Sequence, residues 1–318
     1  MKSPMFAGVD VAQRTLDIAL EGAAQARQID NRLGPIRRWL QSLPEECAIG
    51  VESTGNLHQL LVRTAIAAGR TVYVLNARDL AHYARALGRR AKTDRLDAQL
   101  ILRYLQREHE NLHPYQLPSL QRAELDELIG RRHQVVRVRG ALQQSFTASS
   151  RRPRTLGRTV RALEALIAEL DARMQELVAA EEPLHTAATH LRTVVGFGPL
   201  LSASMAHAIT RHPFRKADAF IAYIGYDPRV RDSGQWRGRR FLSKRGPAEL
   251  RRLLFTAAMS ACKTKLWQPF YQRYRARGLS TTAALVILAR KLARVAFSIV
   301  KHNLDFRPEL VKVACAQP

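Results

Sequence analysis

Residues 6–20, FAGVDVAQRTLDIAL, contain two short apolar runs separated by the polar segment AQRT. That pattern is typical of a β-hairpin, and ARQIDN at 26–31 adds a third strand. Further along the chain, the apolar spacing alternates between the helical and the strand pattern. The alternating elements are a helix, a strand, a helix, a strand and a long helical segment, at residues 33–43, 47–53, 57–69, 71–77 and 78–108. This order of elements predicts an α/β domain.

The balance of charge indicates the kind of partner. Of 318 residues, 51 are Lys or Arg and 27 are Asp or Glu, a formal net charge of +24. The hydrophobic fraction of 46% is enough for a buried core, and the length allows two domains. The excess of positive charge is not needed for folding, and repulsion among the positive side chains opposes the compact state. It predicts a polyanionic partner, with nucleic acid as the default and an anionic membrane surface as the weaker alternative.

Signals for secretion or membrane insertion are not expected in this chain. The N-terminal MKSPMFAGVD has no apolar core of signal-peptide length. The late apolar segment at 285–300, LVILARKLARVAFSIV, carries three basic residues, which exclude an ordinary membrane span. The cysteines, Cys47, Cys262 and Cys315, form no Cys-x-x-Cys pair, so no structural zinc site is expected. A reducing cytoplasm fits this cysteine content best.

A long basic helical segment follows the first domain. Pro114 and Pro118 break the chain, and residues 119–180 then show helical periodicity. Residues 128–163 include nine arginines and no acidic residue. A solvated helix usually mixes its charges, so this run favours a helical arm that follows a phosphate backbone, with a merely soluble basic coiled coil as the alternative. The candidate phosphate contacts of this arm are Arg131, Arg132, Arg137 and Arg139.

Four carboxylates of the first domain could hold a metal ion. Asp10 and Glu52 each end an apolar strand, and Asp94 and Asp97 lie on one face of the long helix. An acid at the end of a buried strand is costly unless it is paired or metal-bound. Carboxylate oxygens suit Mg²⁺ or Mn²⁺, and two such ions can stabilise the attacking and leaving oxygens at phosphorus. Each acid alone is also explained as a turn former or part of a solvated helix face.

One serine in a basic segment is a candidate nucleophile. It is Ser233, in RVRDSGQWRGRRFLSKRG at 229–246, and it precedes Gly234, which permits close approach of a phosphate backbone. Ser-Gly is equally typical of a turn, and we interpret Asp232 as a turn residue. The surrounding cations could hold flanking phosphates, the arginines through their planar fork. These candidate contacts are Arg237, Arg239, Arg240, Lys244 and Arg245.

Nearly the whole chain resembles one family. FAGVDVAQRTLDIAL, GVESTGNLHQLL and AKTDRLDAQLILRYL are similar to the N-terminal domain of the DEDD insertion-sequence transposases, the insertion-sequence 110 family, which includes the Piv-type DNA invertases. VVGFGPLLSASMAHAI and the later stretch through the Ser-Gly block are similar to its C-terminal transposase domain. The Lys-Thr-Asp-Arg-x-Asp-Ala block at 92–98 and the Ser-Gly block are specific together, although neither is specific alone.

The resemblance implies roles for individual residues. The first domain would have a RuvC-like, ribonuclease-H-type fold with an acidic tetrad that binds Mg²⁺, for which Mn²⁺ can substitute. The tetrad matches Asp10, Glu52, Asp94 and Asp97. Ser233 matches the family's nucleophilic serine, which would form a covalent phosphoserine intermediate. Lys92 and Arg95, inside the 92–98 block, are expected to contact nucleic acid.

The resemblance also implies partners and domain boundaries. The partners would be donor and target DNA, a non-coding bridge RNA encoded by the element, and further copies of the chain, as a dimer or as a tetramer when DNA ends are held together. No membrane is expected, and the implied location is the bacterial cytoplasm, in association with the nucleoid. The predicted segments are a RuvC-like domain at 1–113, a basic helical arm at 114–188 and a mostly helical transposase domain at 189–318.

The sequence leaves four functions open. The first is an RNA-guided transposase, which we predict. The second is a site-specific DNA invertase on the same scaffold, and its gene would lie beside an invertible segment of DNA. The third is a metal-dependent Holliday-junction nuclease, which would still cut DNA after Ser233→Ala. The fourth is a nucleic-acid-binding protein without activity, which would never cut a strand.

Overall fold

A computed structural model describes residues 5–53, 55–88, 94–149, 152–229, 232–233, 236–237 and 241–309, with the side chains of 94–96, 232, 233, 236 and 237 outside the description. The chain divides into two compact units, Met1–Leu117 and Pro118–Pro318. The division falls at Pro118, one of the two prolines that break the sequence pattern. The segment proposed as an arm therefore shares a unit with the C-terminal segment.

The first unit is built on a five-stranded mixed sheet with the order β3-β2-β1-β4-β5. Its strands are β1 Phe6–Val11, β2 Thr15–Leu20, β3 Arg27–Asp30, β4 Ala48–Glu52 and β5 Val72–Leu75. Strands β1, β2 and β3 pair antiparallel, whereas β4 pairs parallel with both β1 and β5. The helices are α1 Leu33–Gln41, α2 Gln59–Ala67, α3 Ala77–Ala86 and α4 Asp94–Glu108. The predicted α/β architecture is confirmed.

The two faces of this sheet are covered by different helices. Alternate residues of β1, Ala7, Val9 and Val11, join an apolar core with Ile36 of α1 and Leu61 of α2. On the opposite face the sheet presents glycines, and α4 packs directly on them. A Cβ atom at Gly8 would lie 2.3 Å from the Leu102 backbone nitrogen and 2.4 Å from the Ala98 carbonyl oxygen. Only glycine leaves room for a helix backbone this close.

We expect Gly8→Ala to destabilise the folded chain by about 3 kcal/mol, because the atoms in the way belong to the α4 backbone and cannot rotate aside. Gly34→Ala in α1 is the matched control, since its nearest non-neighbouring atom is 3.8 Å from the added Cβ. Denaturant unfolding of the full chain measures both. Equal midpoints for the two variants would contradict the close packing of α4 on β1.

The second unit is mainly helical. Its helices are α5 Leu120–Ser145, α6 Arg154–Ala179, α7 Glu182–Arg192, α8 Pro199–Arg211, α9 Ala217–Tyr223, α10 Ala248–Ala261, α11 Gln268–Ala276 and α12 Thr281–His302. Its two-residue strands are β6 Pro228–Arg229, β7 Asp232–Ser233, β8 Trp236–Arg237 and β9 Phe241–Leu242. One core joins residues from α5 through α12, including Leu125, Met174 and Trp267. Within the described ranges, no helix combines the length and apolar character needed to cross a membrane.

Helices α5 and α6 run antiparallel, and ion pairs link them along their length. Arg132 bonds Asp171, and Arg139 lies 3.5 Å from Glu164. Arg122 bonds Glu181, which lies just beyond the C-terminal end of α6. Partner numbers fall along α6 as they rise along α5, which fixes the antiparallel direction. The Asp126 carboxylate, near the start of α5, is hydrogen-bonded to the His207 Nε2 at 2.8 Å. Burial lowers the pKa of His207 to about 4, so the neutral ring donates this hydrogen bond near pH 7.

Candidate functional site

The strand-end carboxylates Asp10 and Glu52 lie side by side on the sheet. In the parallel β1–β4 pair, Gly8 is opposite Gly50 and Val9 is opposite Val51, so the next residues of the two strands are Asp10 and Glu52. Both side chains point to the α4 face, because they follow the two glycines by two residues. Each is half-buried and makes a polar contact. The register therefore brings together two acids that are far apart in sequence.

Helix α4 adds Asp97 to the same end of the sheet. Leu105, late in α4, packs with Phe6 and Ala48 at the starts of β1 and β4. One turn earlier, Ile101 lies 3.2 Å from a Cβ built on Gly50. Because α4 runs opposite to these strands, its first turn lies over their last residues, about 6–7 Å further along. Asp97 is half-buried in that first turn, and Asp94, three residues earlier, begins the helix.

The donor set suits a hard divalent cation. Asp10, Glu52 and Asp97 offer hard carboxylate oxygens from three elements at the same end of the sheet. Among the described side chains, no group of three or more His, Cys, Asp or Glu has the geometry to hold a metal ion. The Asp94 side chain lies outside that set. Carboxylate oxygens are the ligands that Mg²⁺ and Mn²⁺ prefer. Asp10, Glu52, Asp94 and Asp97 are the residues that would hold such an ion.

Ser233 lies in the second unit, at the end of a short strand. It pairs with Trp236, and Asp232 pairs with Arg237, in an antiparallel hairpin whose connecting residues fall outside the description. Backbone pairing puts Ser233 beside the hairpin turn, which fits both a turn residue and a presented nucleophile. Of the cations predicted to surround it, Arg239 and Arg240 lie outside the described residues, and only the backbone of Arg237 is described. In the 92–98 block of the first unit, Lys92 lies outside the described residues and only the backbone of Arg95 is described.

The base of this loop is closed by a structure we call the neck, residues 223–229 and 241–247. β6 pairs with β9 there, and the Lys244 N–H donates to the Gly225 carbonyl oxygen at 3.1 Å. Lys244 and Arg245 are both exposed on the neck, and Lys244 has a left-handed φ of 52°. A Cβ at Gly246 would lie 1.8 Å from the Tyr223 carbonyl oxygen, so the two neck strands touch through their backbones.

The side chain of Arg251, in α10, connects the two segments of the neck by hydrogen bonds. Its guanidinium donates to three carbonyl oxygens, those of Ile224 at 3.1 Å, Arg245 at 3.2 Å and Gly246 at 3.0 Å. The Tyr226 hydroxyl donates to the Arg251 carbonyl oxygen at 2.8 Å. Burial raises the pKa of Tyr226, so the phenol keeps this proton at any ordinary pH. The two segments that flank residues 230–240 therefore form a rigid base.

The four arginines predicted on the arm differ in their surroundings. Arg132 is 14% exposed and held by Asp171, and Arg139 pairs with Glu164 between the helices. Arg131 is exposed but bonds Glu127 at 2.7 Å on its own helix. Arg137 is exposed, and no ion pair with a described residue engages it. Arg131 and Arg137 are thus the members of the set best placed to meet a phosphate.

The structure adds a basic stripe that sequence reasoning missed. Arg154, Arg158 and Arg161 are exposed on α6 at the spacing i, i+4, i+7, which puts them on one helix face. That spacing was readable in the sequence once the start of α6 was known. The stripe spans about 10 Å of helix, long enough to meet more than one phosphate of a nucleic acid.

Comparison with known proteins identifies the class. Residues 7–149 match the DEDD transposase model of IS110, described as a transposase, and residues 188–274 match the model described as transposase IS116/IS110/IS902 family. The two matches cover most of the chain and include both the carboxylates and Ser233. They define a transposase-type enzyme, a class that implies DNA cutting and recombination. The chain belongs to the IS110 family of transposases.

Similar proteins include both transposases and an invertase. The pilin gene-inverting protein of Moraxella bovis is 26% identical over 96% of this chain and 98% of its own length. A probable family 20 transposase of Pseudomonas aeruginosa is 31% identical over 49% of this chain and 46% of its own. A solved structure of Thermus thermophilus RuvC with a Holliday junction covers 36% of this chain and 100% of that chain, at 16% identity and a TM-score of 0.25. A structural similarity this low adds nothing to the assignment.

Proposed function

We propose that this protein is an RNA-guided DNA transposase that uses a RuvC-like acidic site and a serine nucleophile. The observation that supports the proposal most is the parallel register of β1 with β4, which makes Asp10 and Glu52 neighbours in a chain of the IS110 family. The hydroxyl of Ser233, on the loop above the neck, would be the attacking group. Carboxylates and serine belong to different units of the chain.

The reaction would proceed by two transfers at phosphorus. In the first, the Ser233 oxygen bonds to the scissile phosphorus while the bond to one deoxyribose oxygen breaks, and that oxygen leaves as a DNA hydroxyl. In the second, a DNA hydroxyl from another strand attacks the phosphoserine and releases the serine. A bound Mg²⁺ would supply charge stabilisation for the phosphate oxygens. Because the phosphodiester bond energy is kept in the phosphoserine, rejoining needs no ATP.

The neck and its cations would orient the DNA. Lys244 and Arg245 project from the rigid base of the loop, where they can hold phosphates beside the scissile one. Arg237, Arg239 and Arg240 would extend the same set along the loop. Lys92 and Arg95 would do so beside the carboxylates. Holding the strand on both sides of the reacting phosphorus lowers the entropic cost of the attack.

The sequence specificity would come from an RNA encoded by the element, paired with donor and target DNA. The exposed arginines of α5 and α6 are our candidates for its backbone contacts. Because the carboxylates and Ser233 lie in different units, a dimer or tetramer would allow one copy's acids to face another copy's serine. We propose the homo-oligomer as the active form.

The full-length protein tests this function with labelled DNA from its element's end, Mg²⁺ and RNA transcribed from the neighbouring non-coding region. We expect cut and rejoined strands on a denaturing gel, and we expect both to disappear with EDTA or after ribonuclease treatment. Products that persist after ribonuclease would overturn RNA guidance. Products that persist in EDTA would overturn the metal site.

Site-specific inversion is the second candidate function, because the Moraxella bovis invertase matches nearly end to end. The two candidates differ in their products. A plasmid with one segment between inverted sites distinguishes them. An invertase returns the segment in reversed orientation and leaves the plasmid length unchanged, whereas a transposase moves its element into a separate target molecule.

We expect the triple variant Arg154→Gln, Arg158→Gln, Arg161→Gln to flatten the salt dependence of nucleic-acid binding. Removing one arginine–phosphate interaction lowers the slope of log K against log salt by about 0.9 on duplex DNA. Binding measured from low to high salt gives the slope. Arg132→Gln is the contrast, since its guanidinium is held by Asp171 between the helices. It should keep the slope and cost about 1 kcal/mol of unfolding free energy. An unchanged slope in the triple variant would remove this stripe from the interface.

A further inference from the structure

A buried carboxylate, that of Asp17, lies beside Asp10. In the antiparallel β1–β2 pair, Asp10 is directly opposite Asp17, and in the β2–β3 pair Asp17 is opposite Gln28. Residues directly opposite in such a pair share a face, so all three lie on the face covered by α4. Farther along the same face, Glu21 accepts a hydrogen bond from Gln106 of α4 at 2.8 Å. Asp17 therefore lies on the same face of the sheet as the carboxylates of the candidate metal site.

Asp17 is a buried carboxylate that accepts hydrogen bonds from a neutral amide. Its residue surface is only 3% exposed, and the Gln28 Nε2 lies 3.1 Å from each carboxylate oxygen. A neutral amide gives no charge compensation. Like charges directly opposite on neighbouring strands repel, with Cβ atoms about 5 Å apart. A sheet that needed only packing here would carry an apolar residue, as Leu16 and Ile18 do on the other face.

We infer that Asp17 is a positioning residue for the metal site, acting on the cation through its charge and without contacting it. This rests on the proposed metal site of Asp10, Glu52, Asp94 and Asp97. The Asp17 carboxylate lies behind Asp10, buried where water screens it little, and makes the site more negative. The repulsion between Asp10 and Asp17 is relieved when a divalent cation binds.

The rival explanation is structural, because the Asp17–Gln28 hydrogen bonds also fasten the edge strand β3. The two explanations separate by charge. Asp17→Asn removes the charge and keeps the shape. Gln28→Ala removes the hydrogen bonds and keeps the charge. Asp30→Asn is the control, since Asp30 is an exposed acid of β3 that pairs with Thr15.

The experiment is a titration of the full-length protein with Mn²⁺, following free Mn²⁺ by electron paramagnetic resonance. We expect Asp17→Asn to bind Mn²⁺ about tenfold more weakly than wild type, and Gln28→Ala and Asp30→Asn to bind within about twofold of it. Thermal unfolding with and without Mn²⁺ checks that each variant is folded. It should also show a smaller metal-induced rise in melting temperature for Asp17→Asn.

The outcomes separate this inference from the function on which it rests. Wild-type protein that binds no Mn²⁺ overturns the metal site and the role of Asp17 together. Wild-type binding with equal affinity in Asp17→Asn overturns the role of Asp17 alone and leaves the metal site standing. Equal weakening in Asp17→Asn and Gln28→Ala assigns the effect to the hydrogen bonds and also overturns the inference.

Discussion

Replacing Ser233 by alanine will abolish the covalent protein–DNA adduct and lower strand rejoining at least about a thousandfold. The reason is chemical: alanine has no oxygen that can bond to phosphorus. The fold should be unaffected, because the neck is closed by β6, β9 and Arg251. The measurement is a denaturing gel on which the adduct runs as a slow protein-linked DNA band.

Ser260→Ala is the matched control for that experiment, because Ser260 is an exposed serine near the C-terminal end of α10. It should form the adduct at the wild-type rate. Strand cutting that continues unchanged in Ser233→Ala, without any adduct in wild type, would make the serine a turn residue. The protein would then be a metal-dependent nuclease that uses water as its nucleophile.

Asp10→Asn and Asp97→Asn should each lower DNA cutting about a thousandfold while leaving the protein folded and able to bind DNA. Each change keeps the shape of the side chain but removes a negative oxygen from the cation's donor set. Binding should be retained or tightened, because an anion is removed from a surface that faces phosphates. Single-turnover cutting at saturating DNA measures the effect apart from binding.

Asp30→Asn serves as the control for these two variants, since it removes an equal charge from an exposed position of the same sheet. It should cut DNA normally. Raised Mn²⁺ concentration should partly restore cutting by Asp97→Asn, which keeps the other carboxylates. Wild-type rates in both Asp10→Asn and Asp97→Asn would refute the assignment of the acids.

The strands and helices of the first unit were predictable because their apolar periods are strong. The sequence also indicated Asp10 and Glu52 as strand ends. Glu52 is the last residue of β4, whereas β1 continues one residue past Asp10 to Val11. It did not reveal that the two are neighbours, because that depends on the parallel register of β1 with β4, which is set by contacts far apart in sequence. The glycine face under α4 was equally hidden, since Gly8 is indistinguishable in sequence from an ordinary weak strand position.

The arm was predicted from the sign of its charges, and the sequence could not say which arginines are available. Arg132 and Asp171 are 39 residues apart and meet only when α5 and α6 pair. An arginine that holds a helix pair together looks the same in sequence as one that faces solvent. The α6 stripe became visible only after its helix phase was known. Asp17 was missed because an acid inside an apolar strand resembles ordinary alternation.

The neck has a consequence for exchanging parts between relatives. The contacts described for it join backbone groups and Arg251, all outside residues 230–240. Residues 230–240 are therefore a segment that can be exchanged without losing the contacts described for the neck. Swapping residues 230–240 for the corresponding segment of another family member should leave the host fold intact. Any difference in cutting or inversion between such chimaeras would then report on the loop itself, and recombinases of this type could be re-engineered there without redesigning the rest of the unit.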